Sequence, residues 1–150
     1  MNGVSQLAEV RASQEEKAYV LDTSAIFALV EDEAGAKRVE EILRDEAVLL
    51  PFIVLLEAYY IILREKGERM ADAHYARLKA LAVTHLWEIS EPVLLTAGRF
   101  KARYSISLAD SVIAAFAARH HAVLVHKDPE FEALRDEVLQ EPLPYKKRVR

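Results

Sequence analysis

Short continuous runs of apolar residues, separated by longer stretches with helical spacing, constrain the fold of this chain most strongly. Three such runs are Ala18–Leu21, Ala47–Leu50 and Ala122–Val125, and a further strand is predicted at His85–Ile89. A continuous run is typical of a strand that is buried on both faces. With a fifth strand near Val138-Leu139, the pattern predicts a mainly parallel sheet of four or five strands, covered by helices on both faces.

The stretches between these runs carry the apolar spacing of helices. Two of them place apolar residues on one helical face, at Ala36, Val39 and Leu43 and at Val93, Ala97, Phe100 and Tyr104. The stretches Phe52–Leu63 and Val112–Ala118 are apolar nearly all round. We therefore expect those two helices to be central.

The size of the chain, 150 residues with 52% hydrophobic and 29% charged, is that of one globular domain. We expect this domain at residues 18–141, after an N-terminal extension of residues 1–17 and before a basic tail of residues 142–150. The extension lacks the apolar core of a signal peptide, and the apolar run Ala47–Leu63 is interrupted by Pro51 and Glu57. Neither segment predicts a membrane association, and the expected location is the cytoplasm.

Charge and cysteine content exclude several kinds of site. There is no Cys, which excludes disulfides and thiolate metal centres. The net charge is -4, so any surface that binds nucleic acid has to be a local basic patch.

Four acidic residues lie where apolar stretches meet helix starts or helix interiors: Asp22, Glu57, Asp110 and Asp128. Three of them have a structural explanation. Asp22 and Asp128 fit the N-cap position of a helix, and Asp110 completes the capping-box pattern Ser107-Leu-Ala-Asp110. Glu57 lies beyond the first turn of its helix, where the alternative to a functional role is a buried salt bridge to an Arg.

The shared placement of the acids favours a metal site over four separate explanations. Strand ends of a parallel sheet lie side by side at one edge, where ligands bind. Clustered carboxylates raise one another's pKa unless a cation compensates their charge. Hard oxygen ligands suit Mg²⁺ or Mn²⁺, and such a site can hydrolyse a phosphodiester without a protein nucleophile.

The segments around these acids resemble the four acidic motifs of PIN domains, and most closely those of VapC-type toxins. The matching segments are Leu21-Asp22-Thr-Ser-Ala, Pro51-x5-Glu57, Ser107-Leu-Ala-Asp110-Ser-Val-Ile-Ala-Ala and Val125-His-Lys-Asp128-Pro-Glu-Phe131. The resemblance implies a three-layer α/β/α sandwich and a Mg²⁺- or Mn²⁺-dependent endoribonuclease. It also implies a homodimer that a small antitoxin protein holds inactive.

The resemblance assigns roles to particular residues. Asp22, Glu57, Asp110 and Asp128 would be the metal ligands and catalytic acids, and the hydroxyl of Ser24 would orient the cluster. This chain departs from the family in one motif. His126 stands where the family usually has Thr or Ser, and Glu130 stands where a second Asp is common, so Glu130 could share the role of Asp128.

Other assignments have competing interpretations. Arg99, Lys101 and Arg103 could contact RNA phosphates, although a solvated helix face is the favoured explanation for each of them taken singly. Two further functions remain open from the sequence. One is a non-catalytic module whose acids bind a cation or form salt bridges. The other is an aspartyl phosphatase, in which Asp22 would be the nucleophile, although Ser24 replaces the usual second Asp.

Overall fold

Five parallel strands form the centre of the protein in a computed structural model that describes residues 17–146. The strands are β1 (Ala18–Leu21), β2 (Ala47–Pro51), β3 (Thr84–Leu86), β4 (Val123–His126) and β5 (Gln140–Pro142). Their order in the sheet is β3-β2-β1-β4-β5, and all four pairings are parallel. The predicted parallel sheet is therefore confirmed, with five strands.

Helices flank this sheet and complete the expected α/β/α sandwich. They are α1 (Thr23–Val30), α2 (Ala36–Asp45), α3 (Phe52–Lys66), α4 (Glu68–Ala80), α5 (Glu91–Arg103) and α6 (Leu108–Arg119), followed by a short 3₁₀ helix at Pro129–Leu134. Helix α3 packs against α4, and α5 packs against α6. Within residues 17–146, no helix is long and apolar enough to cross a membrane.

The core is centred on β1, the middle strand of the sheet, and on the neighbouring strand β4. Val20, Leu21, Leu124 and Val125 are completely buried. Side chains on both faces of these strands are covered, which explains why their sequences are apolar without alternation.

We expect Leu124→Ala to lower the free energy of unfolding by about 3 kcal/mol, because it leaves a cavity in the middle of the core. The matched control is Leu139→Ala, because Leu139 lies beside Leu124 but is 65% exposed. Urea denaturation of both variants measures the difference. A loss of the same size at Leu139 would contradict the assigned core.

The edges of the sheet differ from the sequence prediction. Strand β3 covers Thr84–Leu86 rather than His85–Ile89, and β5 covers Gln140–Pro142 rather than Val138-Leu139. An edge strand pairs with only one other strand, and β3 and β5 contain no fully buried residue. Their apolar sequence pattern is therefore weaker than that of the inner strands. Pro142 is tolerated there because a residue on an edge strand can lack a backbone donor.

The helix α3 is less buried than its sequence predicts. Its buried residues are Val54, Leu55, Ala58 and Ile62, whereas Leu56, Tyr60 and Leu63 are exposed. The exposed residues recur one turn apart, so one apolar face of α3 has no cover within the described part of the chain.

The chain after β5 packs back onto the domain. Leu143 is buried against Gly35, where a Cβ would lie 3.0 Å from the Cβ of Leu143. Gly35 also has a φ of 99°, which favours glycine. Residues 1–16 of the predicted extension and 147–150 of the predicted basic tail lie outside the described residues.

Candidate metal centre

The four predicted acids and Glu130 come together at the carboxyl ends of β1 and β4. Asp22 directly follows β1, and its backbone N–H donates to the carbonyl of Val125 on β4 at 3.0 Å. Asp110 lies in the first turn of α6. One carboxylate oxygen from each of Asp22, Glu57 and Asp110 lies within 4.8 Å of the others.

A second group of acids shares Asp110 with the first. One oxygen each from Asp110, Asp128 and Glu130 also lies within 4.8 Å of the others. Asp110 is only 9% exposed, whereas Glu130 is exposed to solvent. The cluster therefore runs from a buried end at Asp22 to an open end at Glu130.

Asp22 is both a helix cap and a bare carboxylate. Its Oδ2 accepts hydrogen bonds from the backbone N–H of Ser24 at 3.0 Å and from the Ser24 hydroxyl at 2.5 Å. Its Oδ1 is buried and has no hydrogen-bond partner among the described residues. An unpaired buried carboxylate oxygen is costly. The N-cap explanation is thus correct for one oxygen, and the other is left for a ligand.

Burial and mutual repulsion change the protonation of the cluster. Burial raises the pKa of Asp22 to about 6, against the effect of the hydrogen bonds from Ser24, and the charge of Glu57 adds to the increase. Burial also raises the pKa of Asp110 to about 7, and the nearby charges of Asp22, Asp128 and Glu57 contribute. Within residues 17–146, neither carboxyl group takes part in a salt bridge that would compensate its charge.

Glu57 is held by a hydroxyl and not by an Arg. Thr23 Oγ1 donates to Glu57 Oε1 at 2.7 Å. Among residues 17–146, Glu57 takes part in no salt bridge, so the structural alternative considered for it does not apply. Thr23 is a residue that the sequence analysis missed, and its position directly after Asp22 is the only signal in the sequence.

The hydroxyl of Ser24 connects the ends of two strands, as well as binding Asp22. Its Oγ accepts the backbone N–H of Lys127 at 2.8 Å. The side chain of Lys127 is turned away into an ion pair, with its Nζ 2.9 Å from Glu33 Oε2. The lysine next to Asp128 is thus neutralised by Glu33 and does not compensate the acid cluster.

Asp128 also caps a helix while it takes part in the cluster. Its Oδ1 accepts the backbone N–H of Glu130 at 2.9 Å, at the start of the 3₁₀ helix. The backbone N–H of Asp128 donates to Nδ1 of His126 at 3.2 Å. His126, the residue that departs from the family pattern, is completely buried.

The three basic residues predicted to contact RNA do not form one patch. Arg99 donates to Thr96 Oγ1 at 3.0 Å and lines a groove with Arg103 and Arg119. Lys101 donates to the carbonyl of Ile106 at 3.0 Å. Their contact with RNA stays a prediction.

A cleft of about 490 Å³ opens beside the cluster and gives it access to a ligand. Asp128 and Ser24 form part of its wall, and Phe27 and Ile61 supply apolar surface. Three glutamates also line it, at Glu31, Glu33 and Glu65.

The donor set fits a hard divalent cation. The ligand candidates are carboxylate oxygens without sulfur or imidazole, which suits Mg²⁺ or Mn²⁺. The unpaired Oδ1 of Asp22 is available as a ligand atom, and burial together with the neighbouring carboxylates raises the pKa of Asp22 and Asp110. A bound cation would supply a compensating positive charge.

The fold and the site together are those of an α/β/α protein with an acidic candidate metal centre at one edge of its parallel sheet. A comparison of the sequence with family profiles identifies the family. The sequence profile of the PIN domain matches residues 19–137. The chain therefore belongs to the PIN domain family. Among curated proteins, none matches the sequence significantly.

Several solved structures have a fold similar to that of this chain. The chain is similar to VapBC2 from Rickettsia felis bound to a promoter DNA fragment, with a TM-score of 0.70 and 17% identity over 85% of this chain and 99% of that one. VapBC-1 from nontypeable Haemophilus influenzae gives a TM-score of 0.65 at 22% identity, covering 83% and 97% of the two chains. VapC20 from Mycobacterium tuberculosis, described as a toxin that cleaves the sarcin-ricin loop, gives 0.63 at 20% identity, covering 77% and 93%. These likenesses show that the chain has the fold of such toxins.

Proposed function

We propose that the protein is a Mg²⁺- or Mn²⁺-dependent endoribonuclease and the toxin of a toxin–antitoxin pair. The observation that carries this proposal is the cluster of five carboxylates around Asp110, in which Asp22 Oδ1 is buried and unpaired. Membership of the PIN domain family and the fold shared with VapC toxins support it.

The chain itself prepares the site for a cation. Asp22, Glu57 and Asp110 would hold it at the buried end, and Asp128 and Glu130 would contribute at the open end. When bound, a divalent cation supplies Lewis acidity toward water and a phosphodiester oxygen. Ser24 and Thr23 fix the orientation of Asp22 and Glu57 through their hydroxyl groups. Burial and the neighbouring carboxylates raise the pKa of Asp110 to about 7, so a bound cation would have to displace protons from this group near neutral pH.

The proposed partners are an RNA substrate, a second copy of the chain and an antitoxin, in the cytoplasm. Support for the antitoxin comes from the similar structures, which are described as VapBC complexes from Rickettsia felis, Haemophilus influenzae and Salmonella typhimurium. The cleft beside the cluster is large enough to admit a side chain or a phosphate.

Incubation of the purified protein with a mixed RNA pool tests the proposed function. We expect cleavage with Mn²⁺ and none with excess EDTA. Glu57→Gln is expected to lower the rate by about 100-fold, because it removes a charge from the cluster but keeps an acceptor for Thr23. The rate is measured on a denaturing gel.

Glu46→Gln is the matched control, because Glu46 is an exposed glutamate on the loop between α2 and β2. Its cleavage rate should equal that of the wild type. Cleavage in EDTA would exclude a metal-dependent nuclease. If Mn²⁺ raises the Tm but no RNA is cleaved, the result would favour the non-catalytic module. The helix-capping hydrogen bonds of Asp22 and Asp128 are the structural observation in favour of that alternative.

A further inference from the structure

The ring of His126 connects three segments of the chain next to the acid cluster. Its Nδ1 accepts the backbone N–H of Asp128 at 3.2 Å, and its Nε2 lies 2.8 Å from Oε1 of Gln140 on β5. The amide nitrogen of Gln140 donates to the carbonyl of Phe131 in the 3₁₀ helix at 2.7 Å. The two residues thus tie β4, β5 and the 3₁₀ helix together.

The hydrogen bonds define one tautomer of the ring. An acceptor is needed at Nδ1, because its partner is a backbone N–H, and a donor is needed at Nε2, because its partner is an amide oxygen. The neutral imidazole with the proton on Nε2 meets both needs. Gln140 therefore determines which nitrogen of His126 faces Asp128.

Packing holds the ring in this orientation. His126 is completely buried, with the Phe131 ring centroid 4.9 Å away and Tyr145 stacked at 6.2 Å. A Thr or Ser at this position could accept the same N–H but could not reach β5 at the same time. The imidazole makes the position of Asp128 depend on Gln140, across a distance in sequence of 14 residues.

We propose that His126, fixed by Gln140, is a positioning residue that holds Asp128 in the open group of acids with Asp110 and Glu130. It does not touch the cation or the substrate and acts through the backbone of Asp128. The strength of cation binding at this group therefore depends on the hydrogen bond from the backbone N–H of Asp128 to the imidazole. The inference rests on the proposed metal site.

Two variants separate the hydrogen bond to Asp128 from the packing of the ring. His126→Asn places an amide oxygen near the position of Nδ1 and keeps an acceptor for the N–H of Asp128. His126→Gln places its amide near the position of Nε2 and loses that acceptor. Both remove the ring, so both should lower Tm by similar amounts.

Mn²⁺ binding, measured by EPR of the free ion, is the readout. Asp128→Asn is the reference variant, because its Mn²⁺ isotherm is that of a protein without the carboxylate of Asp128. We expect His126→Gln to approach this isotherm, with affinity lowered about 10-fold, and His126→Asn to stay within about 3-fold of the wild type. Equal loss in both variants, or no loss in either, would overturn the proposal.

If the His126 variants do not fold, Gln140→Leu tests the positioning role instead, because it removes the hydrogen bond to Nε2 and leaves the imidazole ring in place. Weaker Mn²⁺ binding by Gln140→Leu supports the positioning role, and wild-type binding overturns it. If the wild type binds Mn²⁺ without cleaving RNA, the nuclease function fails while the inference stands. If the wild type binds no Mn²⁺, both fail.

Discussion

Asp22→Asn is expected to abolish RNA cleavage and to stabilise the metal-free protein at the same time. The rate should fall by about 100-fold or more, because the variant removes a negative charge from the buried end of the cluster. Asn retains an oxygen that can accept the two hydrogen bonds of Ser24, so the cap of α1 is preserved.

The gain in stability follows from the protonation of Asp22. Its pKa is about 6 in the folded protein, against an ordinary value of 3.8, so its charge disfavours folding at pH 8. The shift corresponds to about 2–3 kcal/mol. The buried amide of Asn lacks a partner and offsets part of this gain, so we expect a net increase of about 1–2 kcal/mol.

Differential scanning calorimetry in EDTA and cleavage assays in Mn²⁺ test the two effects. Asp136→Asn, at an exposed acid, is the control and should change neither quantity. Loss of cleavage together with a lower Tm in EDTA would indicate damage to the fold. Retention of more than a tenth of the rate would remove Asp22 from the site.

The double variant Asp22→Asn/Asp110→Asn is expected to change the pH dependence of stability. In the wild type, both acids have a raised pKa, to about 6 and about 7. The folded state therefore binds more protons than the unfolded state between about pH 4 and pH 8, and the acids lower stability as the pH rises through this window. Above about pH 8 their full cost is present.

Buried histidines act in the opposite direction. Burial lowers the pKa of His126 and of His74, so both reduce stability as the pH falls below 6.5. The pH dependence of the wild-type Tm is therefore the sum of the effect of the two acids and the effect of the two histidines. The Tm of the double variant minus that of the wild type cancels the histidines and isolates the acids.

We expect this difference in Tm to be slightly negative at pH 4, where only the cost of the unpaired Asn amide is present, and to rise to several degrees above zero at pH 8 in EDTA. Mn²⁺ should reverse its sign at pH 8, because the cation stabilises only the wild type. A difference that is independent of pH would show that the two carboxyl groups are not coupled to folding in this way.

The central part of the fold was predictable because burial leaves a direct mark on the sequence. Strands β1, β2 and β4 are covered on both faces, so Val20, Leu50 and Leu124 belong to continuous apolar runs. The edge strands β3 and β5 and the largely polar helix α4 have weaker patterns, because each buries fewer residues. Strands β3 and β5 accordingly lie offset from their predicted positions, and α4 was not predicted.

The acids of the site were predictable one by one, but their environment was not. Asp22, Asp110 and Asp128 carry the local signals of helix caps. The structure confirms Asp22 and Asp128 as caps, and at Asp110 it confirms the cap by Ser107, whose Oγ accepts the backbone N–H of Asp110. The bonds of Thr23 to Glu57 and of His126 to Gln140 join residues far apart in sequence. Such pairs depend on how helices and strands pack, which no local pattern describes.

The strand order β3-β2-β1-β4-β5 bears on how the protein is made. A ribosome synthesises the three strands on one side first, together with Asp22 and Glu57, while the edge of β1 that receives β4 is still bare. Asp110 and Asp128 arrive later, and Gln140, which fixes His126, arrives after both. A nascent chain that ends before α6 therefore has two of the five acids, Asp22 and Glu57, and no assembled cluster. If the protein is the nuclease proposed above, a nascent chain that lacks β4 and β5 has no assembled site with which to cleave RNA.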